Sequence, residues 1–288
     1  MKVIIVGAGR SGTNMLRDIL VSFDELGTWP CDEINYIWKH GNIRIPHDEL
    51  DENCAKPQVK EYINGQFNKM KKKLSCDIIV EKTCANSLRV DFIEEVLDKP
   101  YYIHIYRDPI DTVASAMKRW TADLDIPYIL KKAKYVPLSD FPIYGFKYLK
   151  NRMYKIRNKN NRLSSWGPVY KNMGEVLIQD MPLHKICAYQ WGKCVEKSVN
   201  SFSKIDNNRV INIEYNSFIN NPNHYLKKII TFLKIDIDEN KIITAVDSVK
   251  KTSIGKGYQQ LSQEEIEEVK AITWEVYQRA NELNRISS

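Results

Sequence analysis

The stretch VIIVGAGRSGTNMLRDIL, residues Val3–Leu20, decides the fold of this 288-residue chain. It opens with an apolar run, passes through a glycine loop and ends in residues whose apolar side chains recur at helical spacing. A continuous apolar run of this kind is typical of a strand buried on both faces of a parallel sheet. The stretch therefore predicts a strand, a loop and a helix over residues 13–23. Backbone N–H groups at the start of such a helix form an anion cradle.

The sequence of the loop does not by itself identify the ligand. Residues 7–12, GAGRSG, satisfy the dinucleotide pattern G-x-G-x-x-G, and Gly7 and Gly12 also have the spacing of the nucleotide-triphosphate loop G-x-x-x-x-G-K-[ST]. Thr13 stands where the second pattern needs lysine, and no predicted strand precedes Glu33, the acid at the dinucleotide distance. The loop predicts an anion site that carries Arg10 instead, the alternative being a tight strand–helix turn.

Strand–loop–helix units recur along the chain. Further strands are predicted at 76–82, 101–106 and 209–215, and further helices at 87–97, 110–120, 221–233 and 262–283. Ser262 and Glu265 predict a capping box for the last helix. The pattern is that of an α/β fold with a parallel sheet flanked by helices. We expect one domain, residues 1–288, with a helical or irregular insertion at about 120–185.

A second segment, YRDPIDTVAS, carries another anion-binding pattern. Arg107 ends a predicted strand, and Ser115 follows about two helical turns later. A guanidinium and a hydroxyl that converge in this way suit a second phosphate. The alternative is that Arg107 only pairs with Asp108 or Asp111 and that Ser115 is a small helix-packing residue.

Composition and charge limit which classes of protein and ligand the chain can represent. Lys and Arg total 43 against 36 Asp and Glu, a net charge of +7 that favours an anionic ligand without requiring nucleic acid. No apolar run approaches the ~20 residues of a membrane span. An apolar strand that begins at Val3 leaves no room for a leader segment, so a cytoplasmic protein is expected. The six cysteines and five histidines lack metal-ligand spacing, so no metal is expected.

Taken together, the segments resemble the sulfotransferase family. GAGRSGTNMLRDIL is similar to its 5′-phosphosulfate loop, YRDPIDTVASAMKR to its 3′-phosphate motif, and VEKTCANSLRVDFIEEV to the segment around a catalytic lysine. YQWGKCVEKSVNSF, RVINIEYNSFINNPNHYLKKIITFLKID and SIGKGYQQLSQEEI continue the resemblance in the family's order. It covers roughly residues 1–120 and 185–270 and is closest to the tyrosylprotein and bacterial glycan enzymes. It implies a P-loop NTPase-like sulfotransferase fold.

The resemblance implies sulfuryl transfer from 3′-phosphoadenosine 5′-phosphosulfate (PAPS) to an acceptor hydroxyl or amine, leaving adenosine 3′,5′-bisphosphate (PAP), without a metal. PAPS carries a phosphate group at each end of its adenosine, which matches the two anion sites. By this resemblance, the residues that hold the 5′ end are Arg10, Ser11, Gly12, Thr13 and Asn14. Those that hold the 3′-phosphate are Arg107 and Ser115, completed by Lys256 and Gly257. Lys82 and Arg10 are the cations expected to stabilise the leaving oxygen.

The general base is expected to be Glu33. Small-molecule sulfotransferases of the cytosol have a histidine soon after their lysine segment, and EKTCANS has none. The tyrosylprotein and some bacterial glycan enzymes instead have a glutamate about twenty residues after the phosphosulfate loop. Glu33, with Asp32 beside it, stands at a similar distance from the loop in this sequence. The alternatives are that Glu33 is a surface acid capping a helix, or that His40 or His47 is the base.

The acceptor is less visible. Aromatic residues alternate with ten basic side chains in the insertion: Lys131, Lys132, Lys134, Lys147, Lys150, Arg152, Lys155, Arg157, Lys159 and Arg162. The run is either a solvated helix face or a wall that attracts an anionic acceptor, such as an acidic glycan or acidic peptide. Trp166 is either a sugar platform or part of the core.

Two other functions compete with sulfuryl transfer. One is a nucleotide kinase with a degenerate phosphate loop, and the other is a basic module that binds RNA or a polyanionic glycan. The sequence has no RNA-recognition motif, so a nucleic-acid partner is not expected. The oligomeric state stays open.

Overall fold

The computed structural model of this protein is built around one central sheet, and helices pack on it. The structure describes residues 1–122, 132–146, 149, 153, 163–178 and 181–286. In these ranges, five parallel strands form one sheet in the order β2-β3-β1-β4-β5. The strands are β1 (Lys2–Val6), β2 (Leu26–Gly27), β3 (Ile78–Lys82), β4 (Tyr101–Tyr106) and β5 (Val210–Glu214). The predicted α/β class with a parallel sheet is confirmed.

Strand β1 lies at the centre of the sheet, between β3 and β4. Val3 and Ile5 pack into an apolar cluster on one face, and Ile4 and Val6 pack into a second cluster on the other. All four side chains are fully buried, as expected for a strand covered on both faces. Each contributes about 1.5–3 kcal/mol relative to an exposed position. Because this burial fixes β1, the loop after Val6 emerges at the carboxyl edge of the sheet, where such folds bind ligands.

Helices cover both faces of the sheet. They are α1 (Thr13–Leu20), α2 (Asn35–Trp38), α3 (Pro57–Leu74), α4 (Val90–Val96), α5 (Pro109–Trp120), α6 (Met173–Ile178), α7 (Leu183–Phe202), α8 (Tyr215–Asn220), α9 (Pro222–Phe232), α10 (Glu239–Val246), α11 (Lys256–Gln260) and α12 (Gln263–Ile286). Helices α1, α4, α5, α9 and α12 confirm the predicted ones. The capping box at α12 is also confirmed, because Ser262 and Glu265 each bond the other's backbone N–H. None of the helices in the described ranges is long and apolar enough to cross a membrane.

The sequence did not predict α3 or β2. Helix α3 buries Val59, Ile63, Phe67 and Met70 at helical spacing. Asn, Gln and Lys side chains fill most of the positions between them, and they dilute the apolar pattern. Strand β2 has two residues, too few for any periodicity to appear.

The predicted insertion at about 120–185 is described in part. Leu163 donates its N–H to the carbonyl of Trp120 (3.0 Å), and Tyr170 and Met173 are buried in a third apolar cluster. The basic residues that lie outside the described ranges are Lys131, Lys147, Lys150, Arg152, Lys155, Arg157, Lys159 and Arg162. The extent of the domain and of its insertion stays a prediction.

Candidate active site

The glycine loop joins β1 to the start of α1 at the carboxyl edge of the sheet. Gly12 precedes α1 with φ +91°, in the left-handed region that glycine tolerates. A Cβ at Gly12 would also lie 2.4 Å from the ring of Tyr215. The loop therefore needs glycine here for both conformation and space. Arg10 has φ +74°, a costly conformation for a residue with a side chain.

A cavity of about 920 Å³ opens above this loop. The predicted site residues that line it are Arg10, Gly12, Thr13, Asn14, Glu33, Lys82, Arg107, Ser115, Lys256 and Gly257. Ser11 does not line the cavity. Ser11 is fully buried beneath it, and its Oγ has no hydrogen-bond partner among the described residues. The structure thus brings ten of the eleven predicted residues into one space, although the first and last of them, Arg10 and Gly257, are 247 positions apart in the sequence.

Arg10 stands between the two predicted anion sites. Its Nε donates to Oγ of Ser115 on α5 at 3.0 Å, which ties the glycine loop to the second motif. Burial and the nearby Arg119 lower the pKa of Arg10. A guanidinium surrounded by other cations is stabilised when an anion enters the cavity.

Arg107 is held rigidly at the end of β4. It donates to the carbonyl of Ser253 (2.5 Å) and of Arg10 (3.4 Å), and it pairs with Asp111 at 3.4 Å. The guanidinium carbon lies 4.6 Å from the ring centroid of Tyr215. Its Nε has no hydrogen-bond partner among the described residues. The expected pairing with Asp111 therefore exists, and Nε takes no part in it.

Residues 255–257, at the start of α11, line one side of the cavity and are held there by Asp111. The two carboxylate oxygens of Asp111 accept from the N–H groups of Gly255 (2.8 Å) and Gly257 (2.7 Å). A Cβ at Gly257 would lie 2.4 Å from the carbonyl oxygen of Ile110, so only glycine allows this approach. Sequence reasoning treated Asp111 only as a partner of Arg107. The missed signal was an acid one helical turn after the arginine, facing the same edge as the late Gly-Lys-Gly segment.

Glu33 and Lys82 form an ion pair in the wall of the cavity. Lys82 Nζ donates to Glu33 Oε1 at 2.5 Å, and the N–H of Cys84 donates to Glu33 Oε2 at 2.8 Å. Burial is the largest single effect and opposes both charges, but the surrounding charges and hydrogen bonds together outweigh it. The pKa of Glu33 is therefore lowered, chiefly by Lys82, and the pKa of Lys82 is raised, chiefly by Glu33. Both groups are therefore charged at neutral pH.

The histidine alternatives lie elsewhere. Neither His40 nor His47 lines the cavity. Nδ1 of His40 lies 2.8 Å from a carboxylate oxygen of Asp140, and its ring lies against Tyr62 with centroids 4.1 Å apart. The backbone carbonyl of His47 accepts from Lys39. Glu33 is thus the one of the three candidates that the fold places beside Lys82.

Positive charge dominates the described lining of the cavity. Seven lysine and arginine side chains line it against three carboxylates, those of Asp32, Glu33 and Asp111. Each of these carboxylates already contacts a cation, Asp32 through Arg17. No group of three or more His, Cys, Asp or Glu side chains in the described part of the chain is arranged to hold a metal ion. The cavity is suited to an organic polyanion.

Part of the insertion forms the far wall of the cavity. Lys132, Tyr144 and Trp166 all line it. The six-membered ring of Trp166 lies over the glycine loop, 3.2 Å from where a Cβ of Gly9 would stand. Burial lowers the pKa of Lys132 to about 8, and Lys82 acts in the same direction.

Comparisons with known proteins agree on one family. The family model of the sulfotransferase domain matches residues 1–279. The chain is similar in fold to the sulfotransferase domain from the curacin biosynthetic pathway, with a TM-score of 0.55 and 12% identity over 93% of this chain and 95% of that one. It is also similar to the sulfotransferase domain of the Synechococcus PCC 7002 olefin synthase (TM-score 0.52, 13% identity, 98% and 94% covered). A sulfotransferase from Alicyclobacillus acidocaldarius gives a TM-score of 0.51 at 14% identity, with 98% and 95% covered. No curated protein matches.

The geometry at Arg107 predicts which end of a nucleotide it reads. A charge-assisted hydrogen bond contributes roughly 1.5–3 kcal/mol, so Arg107→Ala should weaken PAP binding about tenfold or more. Binding of adenosine 5′-monophosphate, which lacks the 3′-phosphate, should stay within about twofold. Titration calorimetry with both nucleotides measures the difference. Arg209→Ala removes an arginine that forks onto Glu94 outside the cavity and should change neither affinity. Equal losses for both nucleotides in Arg107→Ala would contradict the assignment.

Proposed function

This chain belongs to the sulfotransferase family and is a PAPS-dependent sulfotransferase. We propose that the sulfuryl group goes to a hydroxyl of an anionic acceptor. We further propose that Glu33 is the general base for this transfer. The observation that carries the proposal is the ion pair between Glu33 and Lys82 in the wall of the cavity. The family assignment favours this function over a nucleotide kinase and over a basic binding module.

The two anion sites suit the two ends of PAPS. We infer that the residues at its 5′ end are Arg10, Ser11, Gly12, Thr13 and Asn14, at the start of α1. The residues at its 3′-phosphate are Arg107, Ser115, Lys256 and Gly257. The hydrogen bond from Arg10 to Ser115 supports this division, because it fixes the two sites relative to each other. Fixed positions reduce the entropic cost of aligning the donor for in-line transfer.

Lys82 and Arg10 stabilise the charge that develops on the leaving oxygen. Both line the cavity beside the glycine loop, and Lys82 is nearly inaccessible to water, with 2% of its side chain exposed. Preorganised charge in a poorly solvated site acts strongly on a transition state. A fixed ammonium and a guanidinium supply the positive charge that a nucleotide-triphosphate loop draws from its lysine.

Donor binding also prepares the base. The negatively charged sulfonate attracts Lys82 away from Glu33. Lys82 contributes most to the lowered pKa of Glu33, ahead of Lys132 and the N–H of Cys84. Its departure therefore lets burial raise that pKa, and Glu33 becomes a stronger base. Glu33 then takes the proton of the acceptor hydroxyl as the hydroxyl oxygen bonds to sulfur. The bond from sulfur to the 5′-phosphate oxygen breaks, and PAP leaves with the electron pair.

Replacement of Glu33 tests the base. Glu33→Gln keeps the shape and removes the proton acceptor, so kcat should fall by the ~10²–10⁴ typical of a lost general base. The Kd for PAP should hold, because other residues bind the nucleotide. Transfer from radiolabelled PAPS and calorimetry with PAP measure the two quantities.

The controls separate this role from a general effect of losing an ion pair. Glu95→Gln removes a carboxylate that pairs with Lys60 on the surface and should leave kcat unchanged. Normal turnover by Glu33→Gln together with a loss in His40→Ala or His47→Ala would show that the base is a histidine.

The proposed acceptor is anionic, such as an acidic glycan or an acidic peptide. Lys132 supports this, because it lines the wall of the cavity that faces Glu33 and Lys82. Tyr144 and Trp166 lie on the same wall and offer flat surfaces to a sugar or a side chain. A partly buried ammonium gains more from an anionic partner than an exposed one does.

The charge of Lys132 predicts a pH dependence of acceptor binding. The pKa of Lys132 is about 8, so the group is charged below that pH and neutral above it. The KM of an acidic oligosaccharide should therefore rise several-fold as pH increases through about 8. Lys132→Met should have, at every pH, the high KM that the unsubstituted protein reaches only above about pH 8, and should lose this rise. Lys134→Met, at an exposed lysine two residues on, is the matched control. A neutral oligosaccharide used with the same kcat/KM in all three proteins would contradict an anionic acceptor.

A further inference from the structure

A buried hydrogen-bond network lies directly beneath the pair formed by Glu33 and Lys82. Glu81 precedes Lys82 on β3, and only 1% of it is exposed. Its carboxylate accepts from the hydroxyl of Thr83 (2.6 Å) and from the amide of Asn86 (2.6 Å). Thr83 and Asn86 are fully buried, and none of these three residues lines the cavity. Burial raises the pKa of Glu81 to about 7. A buried carboxyl group with this many hydrogen-bond partners is an arrangement that apolar packing does not explain.

Thr83 connects this network to the loop that carries Glu33. Its hydroxyl oxygen accepts from the N–H of Ile34 at 3.0 Å. A hydroxyl has one hydrogen, and Glu81 takes it, so the oxygen lone pairs of Thr83 are left for Ile34. Glu81 therefore orients Thr83, and Thr83 fixes the peptide that follows Glu33.

The backbone of Glu33 needs such support. Glu33 has φ +60°, in the left-handed region that residues other than glycine rarely adopt. A conformation of this kind persists only where the surroundings over-determine it. The N–H of Cys84 holds the side chain, the pairing of Asp32 with Arg17 holds the peptide before it, and Thr83 holds the peptide after it.

From this geometry we propose that Thr83, oriented by Glu81, is a positioning residue that holds the carboxylate of Glu33 toward the cavity. The inference rests on the proposed role of Glu33 as general base. Thr83 acts only through the backbone of Ile34, because it does not line the cavity. A misplaced base lowers the rate of proton transfer without lowering the affinity for the nucleotide.

Two substitutions at one position test the proposal. Thr83→Val keeps the branched shape and removes the hydroxyl. The kcat should fall about 10–100-fold, since a misplacement of about 1 Å at a reacting centre can lower the rate about 10²-fold. The Kd for PAP should stay within about twofold. Thr83→Ser restores the hydroxyl and should recover most of kcat. Thr273→Val is the matched control, since Thr273 is also fully buried but donates its hydroxyl to a carbonyl within α12.

A double-mutant cycle with Glu33→Gln identifies the route of the effect. If Thr83 acts through Glu33, adding Thr83→Val to Glu33→Gln should lower kcat no further. An additive loss, or a parallel loss of PAP binding, would overturn the positioning role. Unchanged kcat in Thr83→Val beside an impaired Glu33→Gln would overturn this inference alone. Normal turnover by Glu33→Gln would overturn the proposed base and this inference with it.

Discussion

The contact between Lys82 and Glu33 is the interaction on which the site depends. Lys82 ends β3, an inner strand of the sheet, and is almost completely removed from water. An unpaired ammonium there would be unfavourable by several kcal/mol. Glu33 is thus required beside it, and the segment that carries Glu33 must cross the carboxyl edge of the sheet. Asp32 then lies against Arg17 of α1, and Ile34 lies against Thr83 after β3. One buried charge therefore links the helix behind the glycine loop to the strand beside it.

The other cations of the cavity lie close enough to repel one another, and a bound anion would offset that repulsion. Arg10 has Arg107 and Arg119 nearby, and these neighbours add to burial in lowering its pKa. Arg107 keeps Asp111 as a partner, but two backbone N–H groups share that carboxylate. A ligand with a negative group at each end binds and neutralises both regions at once. Because such a ligand binds the folded chain only, it also stabilises the fold.

Local patterns predicted most of the fold, and the family resemblance named ten residues that line the cavity. Apolar runs found β1, β3, β4 and β5, since a strand buried on both faces leaves an unbroken signal. Helix α3 was missed because polar residues separate its buried positions, and β2 because two residues carry no period. At the site, sequence reasoning named residues that one segment holds together, such as those of the glycine loop, four of which line the cavity. The anchoring of Gly257 by Asp111 joins residues 146 positions apart, and Thr83 supports Glu33 across 50 positions of sequence. No periodicity encodes such contacts; tertiary packing creates them.

The central claim is that the two anion sites read the two phosphate-bearing ends of one adenosine nucleotide. Calorimetric titration of the full chain with PAP in the presence of a chelator, and separately with ATP and Mg²⁺, tests it most directly. The account predicts that PAP binds without metal and at least about tenfold more tightly than ATP with Mg²⁺, because the 3′-phosphate gains charge-assisted bonds of roughly 1.5–3 kcal/mol at Arg107. Tighter binding of ATP with Mg²⁺, or PAP binding that requires the metal, would contradict it.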